Sequence, residues 1–133
     1  MSRTTVYLEA PDRTQDLLNI KWALKSAGYI IRSSWHDGTA IPSPKNHWNS
    51  GMFKLLQSCD FLVVIAAKNG HRVPELAIMA GFALARGLDV VWIGDLVGTI
   101  SDFEAIQHFR DAEQFCRTFV HKMYSQPNLP IAA

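Results

Sequence analysis

The sequence has no excess of charge of one sign and no apolar run long enough to cross a membrane. Its 13 Lys and Arg residues nearly balance its 12 Asp and Glu residues, for a net charge of +1. The basic residues are scattered, so we expect no nucleic-acid polymer as a partner. The longest apolar runs, 61–67 and 76–85, are shorter than the ~20 residues that a bilayer requires, so we expect no membrane partner.

Cysteine and recognisable cofactor motifs are also scarce. The two cysteines, Cys59 and Cys116, lie in no CxxC or CxxH pattern, and no GxGxxG, Walker-type or HExxH motif occurs. We therefore expect neither a metal nor a cofactor, and we interpret both cysteines as buried thiols of a reducing compartment. Because the N-terminus lacks the apolar core of a signal peptide, we predict a cytoplasmic protein.

What is present is an alternation of short apolar strands and amphipathic helices. The 133 residues fit one domain, which we place at 1–124 with a tail at 125–133. This alternation predicts a doubly wound parallel sheet of four to five strands with helices on both faces, flavodoxin-like or Rossmann-like. The predicted strands are 6–8, 29–33, 61–67, 89–93 and 105–109; the predicted helices are 14–27, 44–59, 74–85 and one that starts at Asp111 with Gln114 as its capping-box partner.

A sheet of this kind binds ligands beyond the carboxyl ends of its strands. The segments that leave those ends are 9–13, 34–43, 68–75 and 94–104. We therefore expect any site to be assembled from these four segments.

Glu75 is the most informative residue in them, because it is the only charged side chain between Arg72 and Arg86. It follows Pro74 and so lies in the first turn of a very apolar helix, where the helix dipole favours a negative charge. A carboxylate at this edge of the sheet can act as a nucleophile or stabilise a cation. The alternative is an ordinary acidic residue that complements the helix dipole.

Two further side chains are candidates for catalysis. Tyr7, on the first strand, can aim its hydroxyl at the same site as Glu75, or it can be a core tyrosine. His71, four residues before Glu75, can serve as a general acid, or it can be a surface histidine of the loop.

Four residues of the loops are candidates for binding. Trp35 and Asp37 can stack on and hydrogen-bond a planar ligand, or the aromatic ring can cover the core. The dipeptide Asn69-Gly70 is typical of a turn, and its amides can approach a ligand closely because Gly70 has no Cβ.

Several short motifs together resemble the nucleoside 2-deoxyribosyltransferase-like family. They are Val6-Tyr7-Leu8 and the segments 27–35, 59–65, 70–76 and 81–94, and the resemblance covers roughly residues 4–120. It implies a small flavodoxin-like domain that cleaves the N-glycosidic bond of a nucleoside or nucleotide and passes the sugar to another base or to water. It also implies a small-molecule nucleoside or nucleotide as the partner, and a homo-oligomer. The family's nucleophile is a glutamate, and it matches Glu75 when the motif is aligned from the loop that precedes the helix.

The register of that glutamate departs from the family. Counted back from Gly87, the family's glutamate falls on Met79, and Glu75 lies four residues, or about one helical turn, earlier. Either the helix has an extra turn and Glu75 keeps the role, or the nucleophile is lost and Met79 lines a site that only binds. The alternatives to an enzyme are a non-catalytic nucleotide or metabolite sensor and a TIR-like interaction domain.

Two loops also differ from the family. The loop before Glu75, residues 68–72, has no acidic residue. The segment 9–13 replaces the phosphate-binding Gly-Ser loop of the nucleotide-hydrolysing branch, which counts against a 5′-phosphate on the substrate.

Overall fold

The fold is a five-stranded, all-parallel sheet with helices on both faces, as the sequence predicts. The computed structural model describes residues 4–11, 14–33, 50–70, 72–95 and 104–125, with the side chains of 50–52 and 119–125 excepted. The strand order is β2-β1-β3-β4-β5, and every pair is parallel. The strands are β1 (Thr5–Glu9), β2 (Ile30–Arg32), β3 (Phe61–Ile65), β4 (Asp89–Ile93) and β5 (Ile106–Phe109).

The described residues contain helices on each face of this sheet. They are α1 (Gln15–Ser26), α2 (Ser50–Gln57), α3 (Val73–Ala85) and α4 (Ala112–Ser125). Helices α1 and α4 pack on one face and α2 and α3 on the other, so the core forms two clusters with the sheet between them. Strand β3 is buried along its whole length, as expected for a central parallel strand covered on both sides.

The helices of the α1/α4 face begin at hydrogen-bonded caps. Thr14 Oγ1 accepts a hydrogen bond from the Leu17 amide at 3.3 Å, and Asp111 Oδ1 accepts one from the Gln114 amide at 2.8 Å. The Gln114 side chain in turn accepts from the Arg110 amide, so the expected pairing of Asp111 with Gln114 is present. Each cap satisfies an amide that the first turn leaves without a partner.

The α2/α3 face is held by aromatic and sulfur-containing side chains as well as aliphatic ones. Phe53 of α2 and Phe82 of α3 contact each other with ring centroids 4.8 Å apart. Tyr7 and Met79 are both fully buried in this cluster. Helix α3 is preceded by Arg72 in the left-handed conformation (φ 60°), and its start has no side-chain cap.

Three sequence expectations need correction. Strand β1 continues to Glu9, which we expected in a turn. The apolar face expected of the amphipathic helix at 14–27 is only partly buried. Leu18 is 43% exposed and Trp22 is 71% exposed. Helix α4 continues through Ser125, the first residue of the predicted tail 125–133. The rest of that tail, 126–133, and the predicted start of the second helix, at residue 44, lie outside the described residues. Within the described part of the chain, no helix is long and apolar enough to span a bilayer.

Candidate functional site

The strand order reverses direction between β1 and β3. From β1 the chain leaves to α1 on one face of the sheet, and from β3 it leaves to α3 on the other. The two connections diverge at the carboxyl edge, which opens the crevice where doubly wound sheets bind their ligands. Strand order alone therefore puts the candidate site at the ends of β1 and β3.

A cavity of about 400 Å³ lies at this point, on the side of α1. A second cavity of about 210 Å³ continues it along the edge of the sheet toward β4 and the start of α4. The two share Asp16, Ile65, Ala66 and Lys68, so they form one crevice with a carboxylate and an ammonium group on its walls. Its size suits a small polar ligand.

Gly94 closes the crevice where β3 and β4 end. Its φ of 115° belongs to a region that L side chains rarely adopt. A Cβ built there would lie 3.2 Å from the Ala66 Cβ, so a larger residue would require Ala66 to shift by a few tenths of an ångström. Gly94 also lines the second cavity.

Glu75 lies in the first turn of α3 and is half-buried. It is seven residues before Phe82, so the two share one side of the helix. Phe82 contacts Phe53 of α2, which means that Glu75 is on the side of α3 that faces α2. The carboxylate therefore lies at the carboxyl edge on the α2/α3 face, and it does not line the crevice on the α1 side.

Tyr7 and Met79 lie deeper on the same face. Both are fully buried in one apolar cluster, with Tyr7 in the middle of β1 and Met79 one turn into α3 beyond Glu75. The position that the family resemblance assigns to a nucleophile is thus a core methionine in the same apolar cluster as Tyr7. Glu75 lies about 6 Å nearer the carboxyl edge along the helix axis.

Sequence reasoning missed Glu9, the last residue of β1. Its side chain is fully buried, and strand alternation puts it on the face of Tyr7. It lies about 7 Å beyond Tyr7 toward the carboxyl edge, a step similar to the turn that separates Met79 from Glu75. Glu9 at the end of β1 and Glu75 in the first turn of α3 therefore both lie toward the carboxyl edge on the α2/α3 face.

A signal for Glu9 is present in the sequence. A charge directly after a three-residue apolar strand, two residues from Tyr7, fits a strand that continues with Glu9 on the same face as Tyr7. Burying an ionisable side chain costs free energy, so a residue of this kind is a candidate for function.

Asn69 and Gly70 lie in the exposed connection from β3 to α3. Asn69 lines the crevice, and Gly70 has a φ of 75°. Arg72 also has the left-handed conformation. For a residue other than glycine this conformation costs free energy, and backbone strain of this kind is concentrated at functional sites. The loop therefore leads from the crevice on one face to Glu75 on the other.

The remaining predicted site residues are not described by the structure. Trp35 and Asp37 belong to the undescribed segment 34–49, and His71 is an undescribed single residue. Their roles stay predictions.

Of the two cysteines, which we expected to be buried, Cys59 is buried and Cys116 is only partly buried. Burial raises the pKa of the Cys59 thiol to about 11, and burial also raises the pKa of Cys116. The Cys59 thiol donates a hydrogen bond to the Leu55 carbonyl at 3.4 Å. Both behave as small hydrophobic residues. Among the described residues, no three His, Cys, Asp or Glu side chains are grouped to hold a metal ion.

Comparison with known proteins identifies one solved structure of similar fold. No protein-family model matches the sequence, and no curated protein matches it. Among solved structures, the CMP N-glycosidase BcmB of Clostridium botulinum is similar, with a TM-score of 0.59 and 12% sequence identity. The match covers 88% of this chain and 99% of that one. At this identity the likeness shows a shared α/β fold along almost the whole length of both chains.

Proposed function

We propose that this protein cleaves or transfers at the N-glycosidic bond of a nucleoside or nucleotide, with Glu75 as the carboxylate nucleophile. The observation that carries the proposal is the position of Glu75. It is half-buried, in the first turn of α3, at the carboxyl edge beside the point where the strand order reverses. A protein of similar fold, described as a CMP N-glycosidase, supports the same class of bond.

The proposed reaction uses Glu75 at the anomeric carbon. As the C1′–N bond breaks, its electron pair leaves with the base nitrogen, which takes a proton, and positive charge develops on the sugar ring. A Glu75 oxygen then bonds to C1′, and water or a second base displaces it. The negative charge beside the developing cation lowers the barrier, as in glycosidases.

The other residues support this step. Tyr7, buried below the carboxylates, is proposed to hold the α2/α3 wall and so to position Glu75. Glu9 adds a second negative charge that favours the cationic sugar without having to touch it. Trp35 is proposed to stack on the base, Asp37 or His71 to protonate it, and Asn69 and Gly70 to border the sugar.

A second candidate is a sensor that binds a nucleotide or metabolite without cleaving it. One observation favours it: Met79, at the position that the family resemblance assigns to the nucleophile, is fully buried. Under this alternative Glu75 serves the helix dipole alone, and its removal leaves ligand affinity nearly unchanged.

The test is base release from a panel of nucleosides and nucleotides, CMP and NAD included, read by chromatography of the free base. We expect activity in the unmodified protein and a loss of at least about 100-fold in Glu75→Gln, because the carboxamide is neutral and a poor nucleophile. The matched control is Glu113→Gln. Glu113 is also a first-turn glutamate, on α4, and its removal should leave the rate unchanged.

Two results would contradict the proposal. Undiminished base release by folded Glu75→Gln would remove the role of Glu75. Ligand binding by calorimetry with no base release from any substrate, unchanged in Glu75→Ala, would favour the sensor instead.

A further inference from the structure

The crevice at the ends of β1 and β3 contributes only the Asn69–Gly70 loop to the proposed reaction, because Glu75 does not line it. The two strand ends supply small or aliphatic side chains to its lining: Ala10, Ile65, Ala66 and Ala67. An alanine side chain does not project beyond Cβ, so this part of the lining is apolar and leaves room above the strand ends. An apolar surface flanked by a few polar groups suits a planar ring with polar edges.

Most polar side chains on the walls of the crevice already have partners within the protein. Thr14 Oγ1 caps α1, and the Gln15 amide group donates a hydrogen bond to Asn19 Oδ1 at 2.9 Å. Arg110 forms an ion pair with Asp111 at 3.2 Å. These groups are therefore less available to a ligand.

Asp16 and Lys68 are different. Both side chains are exposed, and both line the two cavities that make up the crevice. Within the described part of the chain, neither takes part in a hydrogen bond or an ion pair. Asp95 is exposed as well, but it lines the second cavity alone. The centre of the crevice therefore offers one group that only accepts hydrogen bonds and one that only donates them.

A ligand that pairs with both groups must carry a donor and an acceptor on one edge. The nucleobases cytosine and adenine do so, because each has an exocyclic amino group next to a ring nitrogen that accepts a hydrogen bond. In uracil and hypoxanthine a carbonyl oxygen replaces the amino group. In the same position that oxygen would face the Asp16 carboxylate, an acceptor against an acceptor, which is unfavourable.

The crevice and Glu75 lie on opposite faces of the sheet, at the same carboxyl edge. A nucleoside that lies across the ends of β1 and β3 would have its sugar on the side of Glu75 and its base above the alanines. We therefore infer that the crevice holds the leaving base, with Asp16 accepting a hydrogen bond from its amino group and Lys68 donating one to the neighbouring acceptor. The inference rests on the proposed function and names its substrate class, the nucleosides and nucleotides of amino-bearing bases.

Lys68 also has a part in the bond cleavage. When the C1′–N bond breaks, its electron pair leaves with the base. The Lys68 ammonium, which keeps its proton, stabilises this negative charge until the base is protonated.

The test compares two pairs of nucleosides in which an oxo group replaces the amino group, cytidine with uridine and adenosine with inosine. We expect the unmodified protein to release the base of the amino member with a kcat/KM about ten-fold higher, because the oxo member leaves Asp16 without a donor. Asp16→Asn should bring this ratio close to one, since a carboxamide both donates and accepts. The ratio is measured within one variant, so it does not depend on how much of the variant is folded.

Matched controls are available for both residues. Glu113, another exposed acid in the first turn of a helix, does not line the crevice, so Glu113→Gln should leave the ratio unchanged. Lys68→Met should lower kcat for cytidine and adenosine about ten-fold. Lys25→Met, in the last turn of α1 at the opposite edge of the sheet, should leave kcat unchanged.

Two kinetic results would overturn the inference: a ratio that Asp16→Asn leaves unchanged, or a preference of the unmodified protein for uridine and inosine. Calorimetry separates these results from a failure of the proposed reaction. If no base is released, tighter binding of cytidine and adenosine that is lost in Asp16→Asn would support the crevice as a base site and reject the cleavage alone. Equal binding of both members of each pair, or no binding, would overturn the base site too.

Discussion

The two faces of the sheet differ in what they bury. The α1/α4 cluster is apolar throughout, and its helices begin at side-chain caps on Thr14 and Asp111. The α2/α3 face holds Tyr7 and, by strand alternation, the fully buried Glu9. Its helix α3 begins at a strained Arg72 without a side-chain cap.

The two faces of the sheet therefore contribute differently to the stability of the fold and to its proposed function. A capped helix that packs on an apolar cluster gains free energy from its cap and from the apolar side chains that it buries. A buried carboxylate and a left-handed arginine each cost free energy, and such costs persist where a site requires them. We therefore expect the α1/α4 face mainly to stabilise the sheet and the α2/α3 face to carry the proposed chemistry at its carboxyl edge.

The largest expected effect comes from a matched pair of leucines. Leu24 of α1 and Leu76 of α3 are both fully buried, one in each cluster. Changing either to alanine should lower the free energy of unfolding in urea by about 2–5 kcal/mol, through lost burial and the cavity left behind. Only Leu76→Ala should also lower base release per folded molecule, because Leu76 adjoins Glu75 in the first turn of α3.

The proposed difference between the two faces would be wrong if the two leucine variants behaved alike. Equal losses of base release in Leu24→Ala and Leu76→Ala, measured where both variants are folded, would mean that both faces support the site. A loss in Leu24→Ala alone would place the site in the crevice on the α1 side of the sheet.

A second test uses two glycines on different sides of the molecule. Gly94→Ala forces a side chain into a φ of 115° and against Ala66, which should destabilise the fold by about 2 kcal/mol. Gly81→Ala, in the middle of α3 with nothing within 4 Å of the added Cβ, should instead stabilise it by about 0.5–1 kcal/mol. Thermal unfolding measures both, and a Gly94→Ala variant as stable as the unmodified protein would show that the two strands can separate there.

A third test concerns Glu9. Glu9→Gln keeps the size of the side chain and removes its charge, so base release should fall about ten-fold with little change in KM, because the charge acts on the cationic sugar and not on the bound substrate. The control is Asp89→Asn, an exposed carboxylate where β4 begins at the opposite edge. A rise in KM with an unchanged kcat would assign Glu9 to the packing of the site and not to its electrostatics.

Much of the fold could be predicted because the periodicity of the sequence is strong. The continuous run of β3, the capping pair Asp111 and Gln114, and the helix-ending glycines at 28 and 87 each specify one local structure, and tertiary packing agrees with them. The exposure of Leu18 and Trp22 could not be predicted, since an apolar residue at helical spacing is indistinguishable in sequence from a core residue.

The candidate site was only partly predictable. Glu75 is evident as a single charge in an apolar helix, whereas Glu9 opens the turn-rich segment 9–13 and is therefore predicted to lie in a turn. Its burial depends on β3 and on the cover of the α2/α3 face, which are distant in sequence. The strand order that makes β1 and β3 neighbours is likewise a property of the whole chain and of no single motif.

The smallest expected effect distinguishes the two caps of the α1/α4 face by pH. The hydrogen bond from the Gln114 amide, helped by Arg110, lowers the pKa of Asp111 below its ordinary value. A lowered carboxyl pKa in the folded state stabilises the protein above the unfolded pKa of about 4, and this contribution is lost as the pH falls through the folded value.

Asp111→Asn keeps a capping oxygen without the charge, so its stability deficit should be present at neutral pH and shrink in acid. Thr14→Val removes a cap that does not ionise, and its deficit of about 1 kcal/mol should stay constant over the same range. Urea unfolding at a series of pH values measures both, and parallel profiles for the two variants would show that Asp111 acts through its hydrogen bond alone.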